Sequence, residues 1–315
     1  MKVLVVGAGA IGGYFGTILA RKGHHVTMLA RAAYAAKIRA SGFRIVDGPD
    51  EGVARVAVIA DLAEAEVPDL VLFAVKTYHT EELAKALEQV LDAKSVVLPL
   101  QNGADRAAAI QQYLSKGKVL SGAVFMESVL VEPGVVRYLS GARRIILGEP
   151  HGGVSSLVIQ LHKELVASGI NAEIPPDVRV EVWRKFVLVC AGNALTALTR
   201  SPVGEILAYP PGRQLVGQIM GEAVAVGAKL GISLPGYPES GVTFLESLGP
   251  KLRSSMLVDV ESGRLTEIDA LNGHVVRRGE EFGIDVPLNR MVWVALALHN
   301  QRVSKSLLKT RAVSA

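Results

Sequence analysis

The chain has 315 residues, half of them apolar and 20% charged, with a formal net charge of +4. That length allows about two domains, each with its own core, and the composition excludes a disordered chain. The small positive excess is not gathered into a block, so pairs such as Arg143-Arg144 and Arg277-Arg278 read as solvated faces and no nucleic-acid partner is expected. Val3 to Val6 is a β-branched run that predicts a strand buried on both faces, Ile11 to Lys22 a helix, and His25 to Leu29 a second strand. Met1-Lys2 ahead of an apolar run imitates a secretion signal, but Gly7, Gly9, Gly12, Gly13 and Gly16 interrupt it at meaningful spacings, and a cytoplasmic chain is expected.

Further on, Leu70 to Val75 predicts a strand, Glu81 to Leu91 a helix capped by Thr80, Ser95 to Leu100 a strand, and Ala107 to Tyr113 a helix. Val119 to Leu130 and Val135 to Leu139 read as strands around a turn at Glu132-Pro133-Gly134. Strands alternating with helices indicate a Rossmann-type, doubly wound parallel α/β sheet. After Pro175-Pro176 the pattern turns helical. A helix capped by Asp177 and reaching about Leu198 is expected, then helices over Pro211 to Leu230, Thr266 to Phe282 and Pro287 to Val303, with a polar tail from Ser304. The division expected is a dinucleotide-binding domain over 1–175 and an all-α domain over 176–315. Apolar helices in the second domain would serve a core or a homodimer interface equally. No apolar stretch is long enough to span a bilayer. Cys190 is the one cysteine, so no internal disulfide and no Cys-based zinc site can form. Set in an apolar segment, it reads as inert core.

Gly7-Ala8-Gly9-Ala10-Ile11-Gly12 fits G-x-G-x-x-G between a strand and a helix. The first Gly allows the tight turn, the second lets backbone approach a pyrophosphate, and the third permits close helix–strand packing. The helix N-terminus then offers free N–H groups to the phosphates. An NAD site places an acid at the end of the second strand; here the strand ends Met28-Leu29-Ala30-Arg31, and an Arg suits the 2′-phosphate of NADP. Lys76 and Asn102 follow two further strands of the same sheet, where ligands of such sheets bind. Lys76 would meet a phosphate or a substrate carboxylate, Asn102 the ribose or nicotinamide region; a solvated Lys and an Asn-Gly turn are the plain alternatives. Lys185 lies on a largely apolar helix, where burial would lower its pKa toward general-acid use unless it snorkels to water. Asn193, eight residues on, shares its face.

In order and spacing, Gly7 to Gly12, Arg31, Val75-Lys76-Thr77, Gln101-Asn102-Gly103, Trp183-Arg184-Lys185-Phe186 with Asn193, and Ser255-Met256 followed by Thr266-Glu267-Ile268-Asp269 resemble the ketopantoate reductase (2-dehydropantoate 2-reductase) family over nearly the whole chain. The resemblance implies NADPH-dependent reduction of ketopantoate to pantoate, in pantothenate biosynthesis. It implies Lys185 as proton donor, Asn193 hydrogen-bonding substrate, Ser255 binding the substrate carboxylate with Asn102 helping to orient it, and Glu267 as the acidic partner near the lysine and the cofactor. Taken alone, Ser255 is an ordinary helix-cap candidate and Glu267 an ordinary first-turn acid. Two positions depart from the family, where Val189 and Val203 stand in place of asparagines and make the substrate pocket more apolar. A relative acting on a more apolar 2-keto acid is therefore an alternative, and a non-catalytic NADP(H) sensor is another.

Overall fold

The chain begins with β1 (Lys2–Val6), in which Val3, Leu4, Val5 and Val6 are all buried. Val3 and Val5 face one apolar cluster with Tyr14, Phe15 and Leu19, while Leu4 and Val6 face another with Leu87, Val90 and Ile110. A strand buried on both faces has to be central, with helices covering each side. In the computed structural model, which describes residues 1–314 and side chains as far as 308, this is the case.

The chain divides into two compact units, one of residues 1–101 with 105–182 and one of residues 102–104 with 183 onward. In the first unit β1 is followed by α1 (Ala10–Arg21), β2 (His25–Leu29), α2 (Ala32–Ser41), β3 (Phe43–Val46), β4 (Gly52–Ala54), β5 (Ala57–Ile59), β6 (Leu70–Phe73), α3 (Thr80–Leu87), β7 (Val96–Pro99), α4 (Arg106–Gln111) and β8 (Lys118–Val119). The first sheet has the order β5-β2-β1-β6-β7-β8, and every pair in it is parallel. The order reverses between β1 and β6, and that switch point is where sheets of this kind bind ligands. The Rossmann-type expectation holds.

The strands read around Pro133 belong elsewhere. β9 (Ser121–Glu132) and β10 (Val135–Gly148) form a long antiparallel hairpin. With β3, β4 and β11 (Asn171–Glu173, after α5, Ser156–Ala167) the hairpin makes a second, mixed sheet. A tight turn with Gly134 at φ +82° returns the chain antiparallel, so these strands cannot extend an all-parallel sheet, which needs a crossover between neighbours.

The second unit contains only helices among its described residues. α6 (Val178–Thr199) enters it at Trp183, followed by α7 (Val203–Ala208), α8 (Pro210–Lys229), α9 (Glu239–Ser247), α10 (Ser255–Glu261), α11 (Asn272–Phe282) and α12 (Pro287–Ser314). Asp177 does cap α6, accepting from the Arg179 N–H at 2.9 Å. Among the boundaries that differ from expectation, three are these. Thr80 is the first residue of α3 and not its cap, because its hydroxyl accepts from Gln101 Nε2 at 2.9 Å. α12 continues through the expected polar tail. Thr266 to Leu271 form a turn and not the start of α11, and that turn carries Glu267. No helix among the described residues is long and apolar enough to cross a membrane.

Candidate active site

The three motif glycines answer to different demands. Gly7 follows β1 at φ +109°, and a Cβ there would lie 2.7 Å from Val75 Cγ1 and 2.9 Å from Val75 N. A Cβ on Gly12 would run into the Gly7 carbonyl oxygen. Both are required by the protein's own packing. Gly9 is different: a Cβ there would meet nothing within 4 Å, although Gly9 is the N-cap of α1 and supplies no capping side chain. The first-turn N–H groups of a helix lack intrahelical partners, and here the residue beside them has no Cβ although the space for one is open. A phosphate group approaching the backbone fits that space. Gly13, also in the run, is glycine because Phe43 occupies the position its Cβ would take.

Arg31 lies two residues beyond β2 as the N-cap of α2 and is exposed. Lys76 begins the turn after β6 and is half-buried. That turn is held by a residue whose role the sequence reading passed over. Gln101 Nε2 donates to the Val75 carbonyl at 2.8 Å and to Thr80 Oγ1 at 2.9 Å, fastening both ends of the segment that carries Lys76. The only signal for it in the sequence was its place before Asn102.

In the second unit, α6 is buried almost all round. From Lys185 to Ala197 only Lys185, Val189 and Asn193 keep appreciable exposure, and they stand four residues apart. Side chains four apart lie over one another on a helix, so these three form a single narrow accessible stripe. Val203, in contrast, is only 2% exposed at the start of α7. It cannot face a ligand as Val189 can.

Lys185 is the chemically distinctive member of the stripe. Burial of its ammonium lowers its pKa from 10.5 to about 8, with the Glu267 carboxylate pulling the other way. Lys185 and Glu267, eighty-odd residues apart in sequence, are thus brought within electrostatic reach. Glu267 is itself buried, and Asn102 Nδ2 donates to its Oε2 at 3.4 Å. Lys185, Glu267 and Asn102 form one cluster.

Ser255 is exposed as the first residue of α10, and the cap is its neighbour Ser254, whose Oγ accepts from Leu257 N at 3.1 Å. Ser254 Oγ also lies 2.6 Å from Thr196 Oγ1 and donates to the Asn193 carbonyl at 3.4 Å. Those bonds pin the start of α10 beside the Asn193 turn of α6, which brings Ser255 to the same end of the stripe. Ser254 was not singled out from the sequence. Two adjacent serines look alike until burial separates them.

Residues 3–152 match the family described as "Ketopantoate reductase PanE/ApbA", and residues 177–300 match "Ketopantoate reductase PanE/ApbA C terminal". The chain is 30% identical to an uncharacterized oxidoreductase, YkpB, of Bacillus subtilis (strain 168), over 95% of this chain and 99% of that one. It is 32% identical to a 2-dehydropantoate 2-reductase of Mesorhizobium japonicum, over 89% of this chain and 91% of the other. Among solved structures, a PanE/ApbA family ketopantoate reductase from Ralstonia eutropha JMP134 superposes with a TM-score of 0.89 at 32% identity, covering 96% of this chain and all of that one.

Proposed function

Because the chain belongs to the ketopantoate reductase family, and is an oxidoreductase of that family, we propose that it is a 2-dehydropantoate 2-reductase, reducing the 2-keto group of ketopantoate to pantoate with NADPH. The observation that carries the reading is the cluster of Lys185, Glu267 and Asn102 at one end of the accessible stripe on an otherwise buried helix. Gly7 to Gly12 with the N-terminus of α1 would hold the pyrophosphate, and Arg31 and Lys76 would meet the adenosine phosphates. Bound there, the dinucleotide supplies the reducing equivalents.

As its carbon is reduced, the keto oxygen needs one proton, and a general acid must be placed to give it. Lys185 does so as the ammonium and is left as the neutral amine, which solvent reprotonates. A pKa of about 8 keeps the acid mostly charged at neutral pH while making it far more willing to give up its proton than an ordinary lysine. Glu267 favours the charged lysine and holds Asn102. Asn193, two turns along the stripe, and Ser255 orient the carboxylate end of the substrate.

Val189 supports a second reading. It stands between Lys185 and Asn193 on the accessible stripe, so a substrate spanning them meets an apolar side chain midway. A branched or aromatic 2-keto acid suits that surface better than a hydroxylated one. NADPH oxidation measured over ketopantoate and a panel of other 2-keto acids separates the two. Highest kcat/KM on ketopantoate supports the first reading, and a branched or aromatic keto acid in front supports the second. Tight NADPH binding with no turnover on the whole panel removes both.

Cofactor choice is tested at Arg31. A guanidinium that pairs a 2′-phosphate contributes to NADPH and nothing to NADH. Arg31→Ala is expected to raise KM for NADPH about 10- to 100-fold, the loss of one charge-assisted contact, and to leave KM for NADH where it was. Equal effects on the two cofactors would take the 2′-phosphate role away from Arg31.

A further inference from the structure

Glu267 sits on a turn, not on a helix or strand, yet a carboxylate that tunes a neighbouring ammonium has to be held in place. Within the turn itself, Ala270 N and Leu271 N donate to the Glu267 carbonyl at 3.0 and 3.2 Å. Beyond these and the contacts of Asn102 and Arg277, the turn is held by α12. Asn300 Oδ1 accepts from Thr266 N at 2.8 Å and from Thr266 Oγ1 at 3.0 Å, while Asn300 Nδ2 donates to the Thr266 carbonyl at 3.0 Å. One side-chain amide thus grips both backbone polar groups and the hydroxyl of the residue before Glu267. His299 Nε2 lies 2.9 Å from the Arg264 carbonyl, and Trp293 Nε1 donates to Asp269 Oδ1 at 2.7 Å. Trp293 and Asn300 are seven apart, two turns along one face of α12, so the Glu267 turn is strapped to that face at both ends.

We propose that Asn300 is a positioning residue for the reaction, fixing the backbone at Thr266 so that Glu267 faces Lys185. The inference rests on the proposed roles of Lys185 and Glu267. Only a primary amide at this position both donates and accepts in one plane, as a neighbouring strand would. Thr266 is buried, so its N–H and C=O have no water to turn to if the amide is lost. The turn then relaxes and Glu267 drifts. Other charged or titratable groups face the turn from each element that holds it: Lys185 on α6, Asp259 on α10 bound by Arg264, Arg277 on α11 donating to the Asp269 carbonyl, and His299 on α12. For this reason the change made at Asn300 adds and removes no charge.

Asn300→Leu, Glu267→Gln and the double variant are compared in the full chain, with NADPH and ketopantoate, or whichever keto acid the panel favours. The quantities read are kcat, the NADPH Kd by fluorescence, and the alkaline limb of the kcat/KM profile. Asn300→Leu is expected to lower kcat about tenfold, the scale of a weakened proton transfer, to shift the alkaline limb to lower pH, and to leave NADPH Kd unchanged. In the Glu267→Gln background it should shift the limb no further, because both changes act through one carboxylate. A limb that stays in place in Asn300→Leu while Glu267→Gln moves it overturns the proposal, as does full additivity. A limb unmoved by Glu267→Gln itself instead removes the underlying role of Glu267. If Asn300→Leu does not fold, Asn300→Ser, which keeps a donor and an acceptor on a shorter stem, carries the same comparison with a smaller shift expected.

Discussion

Replacing Lys185 by Met is expected to lower kcat about 10²- to 10⁴-fold, the range for loss of a positioned general acid, and to leave the Kd for NADPH unchanged. Met keeps the length and apolar stem of the side chain, so the stripe on α6 stays filled and only the proton is lost. The wild-type pH profile checks the same assignment. Protonation takes the charged lysine, and burial has brought its pKa down to about 8, so kcat/KM falls as pH rises through 8 and not, as for an ordinary lysine, above 10. Stability moves the opposite way. Between about 8 and 10.5 the unfolded lysine still holds a proton that the folded one has released, and stability therefore rises with pH across that window. The Met variant lacks this dependence of stability on pH. A variant with wild-type kcat ends the case for Lys185 as the acid.

Gly9→Val should leave the fold intact and abolish dinucleotide binding, whereas Gly12→Ala should damage the fold. At Gly9 the added atoms start from a Cβ that meets nothing within 4 Å, and the backbone, at φ −89° and ψ −160°, suits any residue. They occupy the space at the N-terminus of α1 that a phosphate needs, and a Kd for NADPH weaker by roughly 100-fold or more is expected from losing that approach. At Gly12 a single methyl group collides with the Gly7 carbonyl oxygen, and overpacking of about 1–3 kcal/mol lowers the melting temperature by several degrees. Calorimetry and fluorescence titration on the two variants separate the effects. NADPH bound by Gly9→Val at wild-type strength would falsify the phosphate role of this loop.

What could be read without coordinates was whatever the chain specifies locally. Gly7 to Gly12 sits in one strand–turn–helix unit, and Lys185 and Asn193 share a helix face, so spacing alone relates them. Their company is set by the tertiary fold. Strands β3 and β4, of four and three residues, are too short to show a period, and so the second sheet went unread. β10 runs on through Gly141 and the left-handed Arg143, where a charged, glycine-broken stretch reads as the end of a strand. Thr266 to Phe282 has a helical pattern throughout, yet its first turn is drawn off by Asn300, thirty-four residues away. The nearness of Glu267 to Lys185 follows from that capture, which no periodicity encodes.

The strand order also dictates when the phosphate loop takes shape. β1 pairs on one side with β2, its close neighbour in the chain, but on the other with β6, Val3 opposite Leu70. Gly7 closes against Val75, just beyond β6. Closing so long a loop costs entropy that is recovered only once the distant strand docks, and parallel pairing of this kind folds slowly. The ability to capture a dinucleotide is therefore expected to arise late in refolding, after most helix has formed. In stopped-flow refolding, far-ultraviolet circular dichroism should recover before NADPH fluorescence enhancement, and coincident traces would contradict this order. Added dinucleotide then rescues finished molecules by mass action and leaves the rate at which they are made unchanged.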